Sequence, residues 1–94
     1  MKVKEHLQLL GKRVVDRVTR FEGVVISISF DLFGCVQALV DPGVDADQKI
    51  KDRYWFDMNR LSIITKEPVM EVPDFDYGPI AEGKRGPADK PTKF

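Results

Sequence analysis

The residues whose side chains most often do chemistry are few and far apart in this chain. His6 is the single histidine and Cys35 the single cysteine. A metal site needs several such ligands and a nucleophile needs a base beside it, so one chain can form neither a His–His metal pair nor a Cys–His dyad. We expect His6 to be a solvated surface residue and Cys35 to be a small, buried strand residue. No catalytic residue is predicted, and the chain is predicted not to be an enzyme.

The acidic loop around Asp45 contains part of a calcium-binding pattern. Asp41, Asp45 and Asp47 supply carboxylates, but the full pattern also needs a further acidic or Asn ligand, a glycine and a distant bidentate Glu. Gln48 and Lys49 follow instead, so we expect a solvated turn. The glycines of the chain are isolated and do not form a phosphate-binding loop. The sequence therefore predicts no metal and no cofactor.

Two groups of large apolar residues each allow two interpretations. The run Tyr54-Trp55-Phe56 either lies wholly in the core or keeps part of its rings on the surface as a binding patch. The pair Leu32-Phe33, at the tip of a tight turn, either folds back over the end of the domain or forms a hydrophobic contact knob. Together with apolar side chains nearer the C-terminus, these groups give the predicted protein-contact residues: Leu32, Phe33, Tyr54, Trp55, Met70, Phe75 and Tyr77.

Hydrophobic alternation predicts the strands that position these residues. In residues 24–30 an apolar face alternates with a face carrying two serines, which is the period-two pattern of a strand with one buried side. Five strands are predicted, at residues 13–18, 24–30, 35–40, 54–56 and 61–65, with a 3₁₀ turn at 57–60. This order is typical of a small, all-β, five-stranded SH3-like barrel. Its predicted core residues are Val14, Val18, Val24, Ile26, Ile28, Val36, Ala38, Leu61 and Ile63.

Prolines divide the chain into two parts. Residues 1–65 form the predicted barrel, whose first residues (4–10) are either a helical turn or an extended lead-in with its leucines against the barrel. From residue 66 onward the prolines are too closely spaced for regular helix or central strand. Apolar side chains lie between them, so residues 66–94 are predicted to be an extended, Pro-rich C-terminal arm that docks through those side chains.

The charge balance gives nucleic-acid binding no support. The chain has 15 basic and 15 acidic residues, without the excess of Lys and Arg that contacts to a phosphate backbone require. No apolar run approaches a membrane span or resembles a signal peptide. A lone cysteine favours a reducing compartment. We therefore expect neither a nucleic-acid partner nor a membrane partner, and a cytoplasmic location.

Several runs carry a resemblance to a known family. Residues 55–61 (WFDMNRL) resemble the end of many SH3-like domains, where an aromatic pair, a 3₁₀ turn and an apolar strand follow in order. Residues 11–25 (GKRVVDRVTRFEGVV), 29–37 (SFDLFGCVQ) and 55–57 (WFD) together resemble a family of small, mostly uncharacterised proteins of tailed bacteriophages and prophages. The resemblance implies a viral or prophage context, in the host cytoplasm or the virion. It implies no activity and no functional residues.

Two functional hypotheses of different classes follow. The first is a non-enzymatic protein-binding or virion assembly module that docks through a barrel face and the arm, onto a second copy in a homo-oligomer or onto a virion component. The alternative is a host-defence antagonist that sequesters a nucleotide signal or blocks a defence protein. The absence of a catalytic constellation in the sequence argues against the third class, an enzyme.

Overall fold

A computed structural model describes residues 3–75 of the chain. The elements are α1 (Val3–Leu7), β1 (Arg13–Asp16), β2 (Glu22–Phe30), β3 (Val36–Asp41), β4 (Tyr54–Asp57), a 3₁₀ helix (Met58–Arg60) and β5 (Leu61–Thr65). The strands form a single antiparallel sheet in the order β4-β3-β2-β1-β5. The prediction of an all-β fold with five strands is confirmed. The sheet is not closed into a barrel, because β4 and β5 are its two edges.

The alternation predicted for β2 is interrupted by a β-bulge. Val25 pairs with Val40 and Ile28 pairs with Ala38, so three steps along β2 match two steps along β3. The extra residue is Ile26, which is 42% exposed, whereas Val25 is buried. A bulge leaves its extra residue outside the ladder and shifts the alternation by one position. The predictions that Ile26 lies in the core and that Val25 faces outward are therefore wrong.

The core lies on one face of this sheet. Its buried members are Val14, Val25, Ala38, Val40, Phe56 and Met58, with Leu9, Leu10, Phe21, Ile28, Val36 and Leu61 packed against them. Five of the nine predicted core residues belong to this cluster, namely Val14, Ala38, Ile28, Val36 and Leu61. Val24 is half-buried outside it.

The predictions that Val18 and Ile63 lie in the core are also wrong. The first strand stops at Asp16, so Val18 falls in the following turn and is 70% exposed. Ile63 faces Val14 across the β1–β5 pair but is 46% exposed, because β5 is an edge strand.

The N-terminal segment packs against the core through the residues that follow its helix. Residues 3–7 are helical, and Leu9 and Leu10 pack against the core as expected of the lead-in. The ring of His6 lies edge-on to that of Phe30, with 5.8 Å between ring centroids. His6 is half-buried in this contact, so the prediction of a solvated histidine is wrong.

The loop between β3 and β4 is a small, self-contained turn. Its backbone closes through an isolated bridge between Val44 and Ile50. The Asp45 carboxylate accepts hydrogen bonds from the amides of Asp47 (2.8 Å) and Lys49 (3.0 Å). The Asp45 carboxylate therefore stabilises the backbone of its own loop, as expected of a solvated acidic loop.

Residues 66–75 contain neither helix nor strand. The remainder of the predicted arm, including the predicted contact residue Tyr77, lies outside the described residues.

Candidate protein-contact surfaces

A half-buried ion pair joins the end of β1 to the 3₁₀ helix. Asp16 is fully buried at the end of β1. Its carboxylate accepts hydrogen bonds from Nε (2.8 Å) and Nη2 (2.6 Å) of Arg60. It also accepts bonds from the amide (2.9 Å) and the hydroxyl of Thr19. This bidentate ion pair fixes the orientation of the guanidinium, and so it positions the Arg60 side chain.

The pairing shifts the pKa of both partners toward their charged forms. The hydrogen bonds from Arg60 hold the pKa of Asp16 well below its ordinary value, more than offsetting the opposing effect of burial, and Thr19 lowers it further. The hydrogen bond to Asp16 in turn raises the pKa of Arg60. Both groups are therefore ionised over the whole physiological pH range.

Beside this ion pair lies a concavity that we call the aromatic pocket. Its volume is about 450 Å³, and it is lined by Thr19, Arg20, Phe21, Tyr54, Trp55, Phe56 and Arg60. The ring of Phe21 lies edge-on to Tyr54, with centroids 5.6 Å apart, and tilted against Phe56 at 5.3 Å. The Arg60 guanidinium lies 5.4 Å from the centroid of the Phe56 ring. The pocket therefore combines aromatic walls with guanidinium groups.

Arg20 occupies an unusual backbone position at this pocket. Its φ of 71° lies in the left-handed region that non-glycine residues rarely adopt. The conformation is held by a hydrogen bond from its amide to the Asp16 carbonyl, at 2.7 Å. The exposed Arg20 side chain is thus attached to a fixed turn rather than to a free loop.

The aromatic run 54–56 is divided between core and surface. Phe56 is buried, whereas Tyr54 is 52% and Trp55 46% exposed. The interpretation that all three rings are core is wrong, and the partly exposed alternative describes their burial. Phe21, Arg20 and Arg60 complete the pocket and were not predicted. No sequence spacing signals Arg60 as the partner of a residue 44 positions earlier.

The Leu32-Phe33 pair projects from the turn between β2 and β3. Leu32 is 92% and Phe33 87% exposed, so the interpretation that they fold back over the domain is wrong. The Asp31 carboxylate accepts hydrogen bonds from the amides of Phe33 (2.9 Å) and Cys35 (2.8 Å), which keeps the turn tight. Cys35 is exposed and precedes β3, so the prediction of a buried strand cysteine is also wrong.

A backbone hydrogen bond attaches the described start of the predicted arm to the segment that precedes β1. The Val69 amide donates to the Gly11 carbonyl at 2.8 Å, and the Gly11 amide donates to the Val25 carbonyl at 2.8 Å. Gly11 has a φ of 83°, and a Cβ added there would lie 3.0 Å from the Cβ of Pro68. Only glycine combines this conformation with so close an approach without strain.

Between the arm and β2 lies an apolar groove, here called the arm groove. It has a volume of about 290 Å³, and its lining includes Leu10, Ile26, Met70 and Phe75. Met70 remains 71% and Phe75 46% exposed. The six predicted contact residues that the structure describes thus do not form one patch. Tyr54 and Trp55 line the aromatic pocket, Met70 and Phe75 line the arm groove, and Leu32 and Phe33 line neither.

Within residues 3–75, no group of three or more His, Cys, Asp and Glu side chains is arranged to hold a metal ion. In the same part of the chain, no helix has the length and apolar character needed to cross a membrane. Comparison with known proteins found no matching family model, no matching curated protein and no matching solved structure.

Proposed function

We propose that this protein is a phage-encoded, non-enzymatic protein-binding module of virion assembly, built on an SH3-like fold. The antiparallel strand order and the 3₁₀ helix directly between β4 and β5 support the SH3-like assignment. The phage context is supported by the resemblance of residues 11–25, 29–37 and 55–57 to the family of small tailed-bacteriophage and prophage proteins described above. The module acts in the host cytoplasm and in the virion.

The observation that carries this proposal is the amount of large apolar surface left exposed. Leu32, Phe33 and Met70 are 92%, 87% and 71% exposed. Single exposed apolar residues are ordinary, whereas neighbouring ones that form a contiguous exposed patch mark interaction sites. Burying each such side chain against a partner contributes ~1.5–3 kcal/mol. A few of them suffice to hold an assembly contact.

The partner is a protein, either a second copy of this chain or a virion component. Equal numbers of basic and acidic residues, 15 of each, offer little counterion release on a phosphate backbone. The exposed side chains that carry the proposal are apolar, which suits a protein surface better than a nucleic acid.

Mass spectrometry of purified phage particles tests this proposal. We expect the protein in particles formed by wild-type phage. We also expect its loss from particles formed with the double variant Leu32→Ser, Phe33→Ser, which removes the contact without touching the core. Ser29→Ala, a substitution at an exposed position of β2, is the matched control, and this variant should be incorporated into particles normally. Absence of the wild-type protein from particles would overturn the assembly role.

The alternative, a host-defence antagonist that sequesters a nucleotide signal, draws on the aromatic pocket. Its rings suit a base and its arginines suit a phosphate. However, the charge of Arg60 is already neutralised by Asp16, which leaves Arg20 as the cation of that pocket for a ligand carrying several negative charges. Calorimetric titration with mononucleotides and cyclic dinucleotides tests this alternative, and micromolar binding would favour it over assembly.

A further inference from the structure

We propose that the aromatic pocket of one copy binds residues 76–80 (Asp-Tyr-Gly-Pro-Ile) of a second copy. This inference rests on the proposed assembly function and names one of its contacts. The ligand is an acidic, aromatic, proline-containing peptide segment, and it is supplied by the chain itself.

The chemistry of the pocket favours such a segment. The Phe21 and Tyr54 rings meet edge-on, so an incoming ring can continue the same packing, which is favourable for aromatic side chains. The exposed guanidinium of Arg20 lies at the same concavity and suits a carboxylate. The pocket therefore selects an aromatic residue with an acidic neighbour.

The arm supplies this combination. Residues 71–82 contain four acidic residues and no basic one. Within them, Tyr77 directly follows Asp76 and is followed two positions later by Pro79. The acidic stretch 71–82 and the arginine-bearing pocket are complementary in charge, which favours their association and fixes its orientation. A proline also limits the conformational entropy lost on docking.

The direction of the arm shows why the pocket belongs to a second copy. The Val69 amide is hydrogen-bonded to Gly11, whose own amide is hydrogen-bonded to Val25. Phe75 lies farther along β2, where it lines one concavity together with Ile26 and Ile28. The arm thus runs toward the C-terminal end of β2.

The aromatic pocket lies at the other end of that strand, at Phe21. The separation between Phe21 and the Ile26–Ile28 stretch is roughly 16–23 Å at the rise of a β-strand. Tyr77 is two residues beyond Phe75, and the chain lets these residues lie at most about 7 Å apart, which is less than this separation.

A charge exchange in the full-length protein tests the contact. Arg20→Asp suits the left-handed backbone at this position, because Asp adopts it more readily than most residues, so the fold should survive. In sedimentation equilibrium, Arg20→Asp and Asp76→Arg should each weaken self-association on the order of tenfold, and the double variant should restore most of it. Tyr77→Ala should weaken it by roughly thirtyfold, as expected of an aromatic anchor.

Lys51→Glu, a charge change in an exposed loop outside the pocket, is the control and should leave self-association unchanged. If the pocket variants change nothing while Leu32→Ser with Phe33→Ser still abolishes assembly, the pocket inference is wrong and the assembly function stands. A wild-type protein that is monomeric at all concentrations, or nucleotide binding abolished by Arg20→Asp, would also overturn the inference. Absence from particles would instead overturn the proposed function.

Discussion

Replacing Gly23 with alanine should force β2 and β3 apart. A Cβ at this position would lie 2.4 Å from the carbonyl oxygen of Asp41, 2.7 Å from its carbonyl carbon and 2.8 Å from Cγ1 of Val40. The first two are backbone atoms, and β3 is held on its other side by pairing with β4, as at Val40 and Tyr54. The backbone of β3 at Asp41 therefore cannot move out of the way, as the end of a flexible side chain could.

The expected cost follows from this geometry. Adding one carbon to a well-packed site destabilises a protein by ~1–3 kcal/mol, and a clash with backbone places Gly23→Ala near the upper end of that range. For a domain of this size, ~3 kcal/mol lowers the melting temperature by roughly 12–24 °C.

Thermal unfolding followed by circular dichroism measures this shift. Ser29→Ala, an exposed change in the same strand, should alter the stability by less than ~0.5 kcal/mol. Amide hydrogen exchange should show faster opening of the β2–β3 pair in Gly23→Ala. A melting temperature within about 2 °C of the wild type, with unchanged exchange at Asp41, would refute the claimed close approach.

Three other predictions test the described residues. Val25→Ala should cost ~2–4 kcal/mol and Ile26→Ala less than ~1 kcal/mol in denaturant unfolding, because the bulge buries only the first; equal losses would contradict the bulge. Gly11→Ala should destabilise the protein and increase proteolysis of the arm, because its φ and its contact with Pro68 both require glycine. The folded-state pKa of Asp16 is below its ordinary value of 3.8, so its stabilising contribution is present above that pH and is lost as the pH falls below it. Unfolding of Asp16→Asn, followed across this range, should therefore depend less steeply on acid than that of the wild type.

The strands were largely predictable from the sequence because their signal is local. The alternation of β-branched and polar residues in β2, and the apolar run in β3, each depend on neighbouring positions alone. The bulge at Ile26 depends on how β2 pairs with β3, and no local pattern contains that information. The prediction therefore identified the strand correctly but assigned Ile26 to the buried face and Val25 to the outward face, which is the reverse of their burial in the structure.

The surfaces were less predictable because their components are distant in sequence or fixed by turn chemistry. Asp16 and Arg60 are 44 positions apart, and only the folding of the sheet brings them together. Leu32 and Phe33 are residue types that are usually buried, but they lie at the tip of a turn whose backbone is fixed by hydrogen bonds to the Asp31 carboxylate. Their exposure thus could not be predicted from their hydrophobicity alone.

The placement of the two ends of the proposed contact restricts the kind of assembly it can form. Residues 69–75 run toward the C-terminal end of β2, whereas the aromatic pocket lies at Phe21, before the N-terminal end of that strand. Each copy then offers one donor segment and one acceptor pocket that do not overlap. Two copies that exchange arms reciprocally form a closed dimer, whereas exchange in one direction forms a ring or a filament. A filament would grow with concentration, so the mass distribution at rising protein concentration separates the closed forms from the open one.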